Sequence, residues 1–125
     1  MNKSLKTLLM GILSLLFGAC THHGNIESVD AETFAKAIRA EHVQLLDVRT
    51  EGEYNAGRIE YAVNADVMQP DFLDRVLPLF VKTKKVYVYC RSGKRSMNAA
   101  RQLTAKGFKV VNLAGGIMEW QSKNP

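Results

Sequence analysis

Cys90 is followed within five positions by three cations, Arg91, Lys94 and Arg95, with Ser92, Gly93 and Ser96 completing the segment. A thiolate is a strong nucleophile and a thiol is not, and ionisation is favoured where positive charge and backbone N–H groups converge on the sulfur. Segment 90–96 can supply both. The residues before it, Lys85-Val86-Tyr87-Val88-Tyr89, are β-branched and aromatic, as expected of a central strand, and a helix is expected to begin near Lys94 to Ser96. A loop that turns from a strand into a helix N-terminus forms a nest for an anion, and the anion most easily satisfied there is the sulfur of Cys90. Cys90 is therefore expected to be ionised and nucleophilic at neutral pH. A lone cysteine is more often a small buried core residue, but a core thiol has no use for three cations and a glycine in the next five positions. His22 and His23 lie near the N-terminus and His42 stands alone, so no metal-ligand cluster is visible, and neither a metal nor an organic cofactor is expected.

The elements that must position this loop alternate between strand-like and helix-like segments. Asp30 can cap a helix in which Ala31, Phe34, Ala35 and Ile38 form an apolar stripe. His42 to Val48 reads as a strand buried on both faces, and a polar stretch from Arg49 to Arg58 leads to a short strand around Ala62 to Ala65. Phe72, Leu73, Val76, Leu77 and Phe80 suggest a helix that Pro78 must break or end. After Cys90, Met97, Ala100 and Leu103 put one helix face on the core, and Gly107 ends that helix as a left-handed cap. Lys109 to Leu113 is the last clear strand, and Gly115-Gly116 leads into a short helix carrying Trp120. Strands separated by helices need crossover connections. The fold class is thus α/β, a mostly parallel sheet of about five strands with helices on both faces, and loops at the carboxyl ends of the strands are where function is expected.

The 125 residues carry 17 Lys and Arg against 12 Asp and Glu, with 46% hydrophobic residues, 9 Gly and 3 Pro, which suits one small globular domain and excludes low-complexity and disordered classes. Part of the +5 charge is local, because without Lys3 and Lys6 the balance is 15 against 12, and no basic run with interleaved aromatics points to nucleic acid. Those two lysines precede the apolar run Leu8 to Phe17, which is too short for a helix of about 20 residues across a bilayer but fits an export signal. The run ends in Leu16-Phe17-Gly18-Ala19-Cys20, which resembles the lipobox of bacterial lipoproteins, with Phe17 in place of the usual Leu, Val or Ile. Residues 1–19 are read as a lipoprotein-type signal peptide, Cys20 as the lipidated residue, 20–25 as a polar spacer and 26–125 as the domain. The alternative is a secreted protein cut near Ala19 or slightly later and soluble in the periplasm. With Cys20 lipidated, Cys90 is the only remaining thiol, and no disulfide framework is possible.

With these residues in place, the chain resembles the rhodanese-like sulfurtransferases in their small single-domain form, over about Ile26 to Trp120. The landmarks are Leu45-Leu46-Asp47-Val48-Arg49, Glu53-Tyr54, Gly57-Arg58-Ile59, Ala62-Val63-Asn64, the loop Cys90 to Ser96, Gly107-Phe108, and Leu113-Ala114-Gly115-Gly116-Ile117 with Trp120. Arg58 departs from the His that the family often has there. The resemblance implies that Cys90 accepts sulfur, that Arg91, Ser92, Gly93, Lys94, Arg95 and Ser96 cradle it, and that Asp47 and Arg49 brace the site. Glu53, Gly57, Gly115, Gly116 and Trp120 are taken as structural. It further implies a small anionic donor such as thiosulfate, and a thiol or cyanide as acceptor. A monomer held at a membrane of the cell envelope is expected, with a protein of that envelope as a candidate sulfur acceptor.

Two other readings remain open from the sequence. A module could carry a Cys90 persulfide to a partner without turnover of small donors. A cysteine-based phosphatase shares this kind of loop, but its pattern has five residues between Cys and Arg, and only four separate Cys90 from Arg95.

Overall fold

The computed structural model describes residues 20–124. The strands are β1 (Cys20–His23), β2 (Ile26–Val29), β3 (Gln44–Asp47), β4 (Val63–Asn64), β5 (Val86–Tyr89) and β6 (Val110–Leu113). The helices are α1 (Ala31–Ala40), α2 (Glu51–Ala56), α3 (Phe72–Val76), α4 (Lys94–Ala105) and α5 (Gly116–Lys123), with a 3-10 turn at Leu77–Leu79. The six strands lie in the order β1-β2-β6-β5-β3-β4, and all neighbours from β2 to β4 run parallel. This is the α/β architecture expected from the alternation of elements.

Strand alternation explains the two cores. Along β5, Val86 and Val88 face one side with Phe72 and Val76 of α3 and Ala99, Ala100 and Leu103 of α4. Tyr87 and Tyr89 face the other side with Phe34 of α1, Ile117 and Trp120 of α5 and Tyr54 of α2. A sheet buried on both faces needs apolar residues at successive positions, which is why Leu45-Leu46 and Val110-Val111 carry no polar alternation. Phe34 meets Tyr87 and Trp120 edge-on at ring-centroid distances of 5.6 and 6.3 Å, locking α1 and α5 against the same face.

Three segments differ from the sequence expectation. Cys20–His23, read as the start of a polar spacer, is an edge strand antiparallel to β2, joined by a tight turn in which Gly24 has φ +63°. Four polar or small residues carry no apolar signal, and only the pairing with Ile26–Val29 makes them a strand. The polar stretch after Arg49 contains α2, whose first turn is closed by a capping box. Glu53 N–H donates to Thr50 Oγ1 at 3.2 Å, and Thr50 N–H donates to Glu53 Oε1 at 3.2 Å. The helix before Pro78 is shorter than its apolar spacing suggests, and Pro78 sits within the 3-10 turn that follows. The export-signal reading of residues 1–19 falls outside the described residues. Among the described residues, no helix is long and apolar enough to cross a membrane.

Candidate active site

β5 delivers Cys90 to the carboxyl edge of the sheet, and α4 starts four residues later at Lys94. Gly93 caps α4 with φ +107°, and a Cβ there would drive into the Ala114 carbonyl. Only glycine combines that conformation with so close an approach. The turn lets the Gly93 N–H donate to Cys90 Sγ at 3.0 Å. Ser96 Oγ, on the first turn of α4, lies 3.4 Å from Sγ and also reaches the Gly93 carbonyl at 3.0 Å. Cys90 is 1% exposed, so its sulfur is solvated by protein groups and not by bulk water.

Those groups favour the charged form. Burial pushes the Cys90 thiol up, but the Ser96 hydroxyl and the N–H groups of Ser96, Gly93 and Ser92 together hold it below the ordinary thiol value. The favourable contributions are hydrogen bonds, from the turn into the helix where the sequence placed a nest of N–H groups.

Arg95 is held by a carboxylate. Its guanidinium makes a two-pronged pair with Glu53, Nη1 to Oε1 at 2.7 Å and Nη2 to Oε2 at 2.9 Å, with both side chains less than a third exposed. The Arg95 bond, helped by Thr50, outweighs burial and holds the Glu53 carboxyl at about 2. Glu53 therefore does two jobs, capping α2 and tying it to the Cys90 loop through the Arg95 guanidinium. The Thr50-Glu-Gly-Glu53 spacing of a capping box was the signal in the sequence that could have placed Glu53 here. Arg91, Ser92 and Lys94 are exposed, and among the described residues neither Arg91 nor Lys94 forms an ion pair. Both charges are open to solvent.

Asp47 and Arg49, expected to brace the site, form a buried pair beside it. Arg49 Nη2 lies 2.6 Å from Asp47 Oδ2, and Arg49 Nε lies 3.0 Å from Oδ1. The same guanidinium donates to the Gly57 carbonyl at 2.7 Å and lies 5.7 Å from the centroid of the Tyr89 ring, immediately before Cys90. Val48 N–H donates to the Tyr89 carbonyl at 3.0 Å, so β3 and its ion pair fix the strand end from which Cys90 emerges.

The second wall comes from the Gly115-Gly116 turn. Gly116 has φ +64°, and a Cβ on it would collide with the Arg91 carbonyl. This approach lets Ile117 N–H donate to the Cys90 carbonyl at 2.9 Å and Met118 N–H to the Arg91 carbonyl at 3.1 Å. The start of α5 thus holds the loop's carbonyls outward, leaving its N–H groups to converge on the sulfur. Cys20, the expected lipidation site, lies three strands away from β5 at the first position of β1.

The arrangement is a buried sulfur that accepts from the Gly93 N–H and lies against the Ser96 hydroxyl, in a loop that also carries two exposed cations. Such a cradle can stabilise a thiolate, or the terminal anion of a persulfide built on it. The chain is similar to proteins known by sulfur chemistry. Residues 30–123 match the model of the rhodanese-like domain. The chain is 32% identical to thiosulfate sulfurtransferase 18 of Arabidopsis thaliana, over 86% of this chain and 88% of that protein. It is 33% identical to a sulfurtransferase of Allochromatium vinosum, over 76% of this chain and 88% of that one. The crystal structure of a rhodanese-like domain protein from Staphylococcus aureus superposes with a TM-score of 0.66 at 31% identity, covering 74% of this chain and 89% of that chain. Fold, loop and relatives agree, and the chain belongs to the family of rhodanese-like domains.

Proposed function

We propose that this protein is a sulfurtransferase in which the Cys90 thiolate takes the outer sulfur of thiosulfate and passes it to a thiol or to cyanide. The observation that carries this reading is the convergence of Gly93 N–H and the Ser96 hydroxyl on a buried Cys90 sulfur held below its ordinary thiol value. In the first step Sγ attacks the sulfane sulfur, a new S–S bond forms, the old one breaks, and its electron pair leaves with sulfite. Cys90 is then a persulfide whose terminal anion replaces the thiolate in the cradle. In the second step the acceptor attacks that terminal sulfur, and Cys90 departs again as thiolate. Arg91 and Lys94 at the rim attract the dianionic donor and offset charge as sulfite leaves. Arg95 supports the loop through Glu53.

The loop disfavours phosphate-ester hydrolysis. In addition to the four-residue spacing, the Arg95 guanidinium is engaged at both terminal nitrogens by Glu53, which leaves it less free to bind a phosphate. Steady-state kinetics with thiosulfate and cyanide test the proposal. The expected pattern is ping-pong, with parallel double-reciprocal lines and no thiocyanate from Cys90→Ser. Native-rate thiocyanate formation by that variant would overturn it. For location, the basic and apolar start followed by Leu16 to Cys20 supports export and lipid anchoring at Cys20 in the bacterial envelope. Membrane fractionation of the full chain against Cys20→Ala tests this, and wild-type protein in the soluble periplasm would contradict it.

A further inference from the structure

We infer that the anchored protein sits with the carboxyl edge of its sheet, and hence the Cys90 loop, against the membrane surface; this rests on lipidation at Cys20. The strand register carries it. Cys20 pairs with Val29, and Val29 pairs with Leu113, the last residue of β6. The Ala114 N–H donates to the Val29 carbonyl at 2.9 Å, so β1 begins at the edge where β2 and β6 end. Because β1 alone runs antiparallel, its first residue lies at the edge where Cys90 leaves β5. Three strand spacings separate β1 from β5, which puts the two positions about 14 Å apart along one edge. No tether intervenes. The residue that would bear the lipid is itself a rung of the sheet, so the acyl chains would fix this edge at the headgroups.

The surface between them suits that placement. Arg91 and Lys94 are exposed and unpaired by any described carboxylate, and Met118, whose N–H bonds the Arg91 carbonyl, is 50% exposed beside them. Two cations with an exposed apolar side chain fit an anionic headgroup layer. Asp30, on the same edge, is committed to the Thr33 N–H at 2.8 Å, and Glu51 and Asp66 lie beyond it, after β3 and β4. The opposite edge carries Lys84, Lys85 and Lys109 at the strand entrances, and it would face away from the lipid.

The test uses the full, lipidated chain in vesicles of phosphatidylethanolamine and phosphatidylglycerol containing a headgroup nitroxide lipid. In a Cys90→Ser background, a fluorophore is attached at Met118→Cys or at Lys84→Cys, one on each edge, both at exposed positions. The inference predicts several-fold stronger quenching at position 118 than at 84. Equal quenching, the reverse order, or no quenching at either position would overturn it, the last meaning that β1 peels away as a tether. Intact mass on the same sample separates the causes: an unmodified Cys20 would overturn the anchor together with the inference, while thiosulfate-to-cyanide turnover of the wild-type chain reports on the sulfurtransferase reading alone.

Discussion

Removing the Ser96 hydroxyl should make Cys90 a worse nucleophile by a calculable amount. Ser96 is fully buried, its Oγ lies 3.4 Å from Sγ, and its other contact is the Gly93 carbonyl. In the thiol form the S–H donates to Ser96 Oγ while the Ser96 hydroxyl donates to Gly93; on ionisation the hydroxyl proton can turn onto the sulfur. A hydrogen bond to a charged group contributes about 1.5–3 kcal/mol, and the sulfur distance argues for the lower end. At about 1.4 kcal/mol per unit, Ser96→Ala should raise the Cys90 pKa by about one unit. The Gly93 N–H remains, so ionisation is weakened and not abolished. The assay is thiolate absorbance against pH in a Cys20→Ala chain, where Cys90 is the only thiol, together with the pH dependence of sulfite release from thiosulfate. Below both pKa values the release rate should fall about tenfold, in step with the thiolate fraction. An unchanged or lowered pKa would refute the claim that side-chain hydrogen bonding to Ser96 holds the thiolate.

Gly116→Ala should destabilise the fold by about 2–5 kcal/mol in urea titration, summing a positive-φ cost with the collision at the Arg91 carbonyl. Gly24→Ala, with a similar φ of +63° but open space around it, should cost only about 1 kcal/mol. Glu53→Gln should cost about 1 kcal/mol at neutral pH, a figure held down by partial exposure of the pair. Because the folded Glu53 carboxyl is depressed from 4.5 to about 2, its stabilisation is present above pH 4.5 and lost as pH falls towards 2; the wild-type and Glu53→Gln stability curves should converge across that window in acid titrations. Asp47→Ala leaves the buried Arg49 charge without its carboxylate and should cost about 3–5 kcal/mol by denaturant unfolding, the largest loss among these side-chain truncations.

The apolar strands and the Cys90 loop were legible because their signals are local. Val86 to Tyr89 is a run of β-formers, and Gly93 among cations marks a strand-to-helix turn. β1 was illegible because Cys20 to His23 has no apolar period and becomes a strand only through its partner, Ile26–Val29. α2 was passed over because Glu51 to Ala56 buries no residue, so its capping box carried the only signal. At the site, the composition pointed to N–H groups and cations around Cys90 but not to the partner of Arg95. The direction in which Arg95 turns depends on Glu53, 42 positions away, and no local pattern encodes that distance.

The most direct test of the central claim is intact-protein mass spectrometry of the Cys20→Ala chain after incubation with thiosulfate. The account predicts a gain of about 32 Da, one sulfur, that is lost on adding cyanide and absent from Cys90→Ser. No gain in mass on the wild-type Cys90, or the same gain in Cys90→Ser, would contradict it.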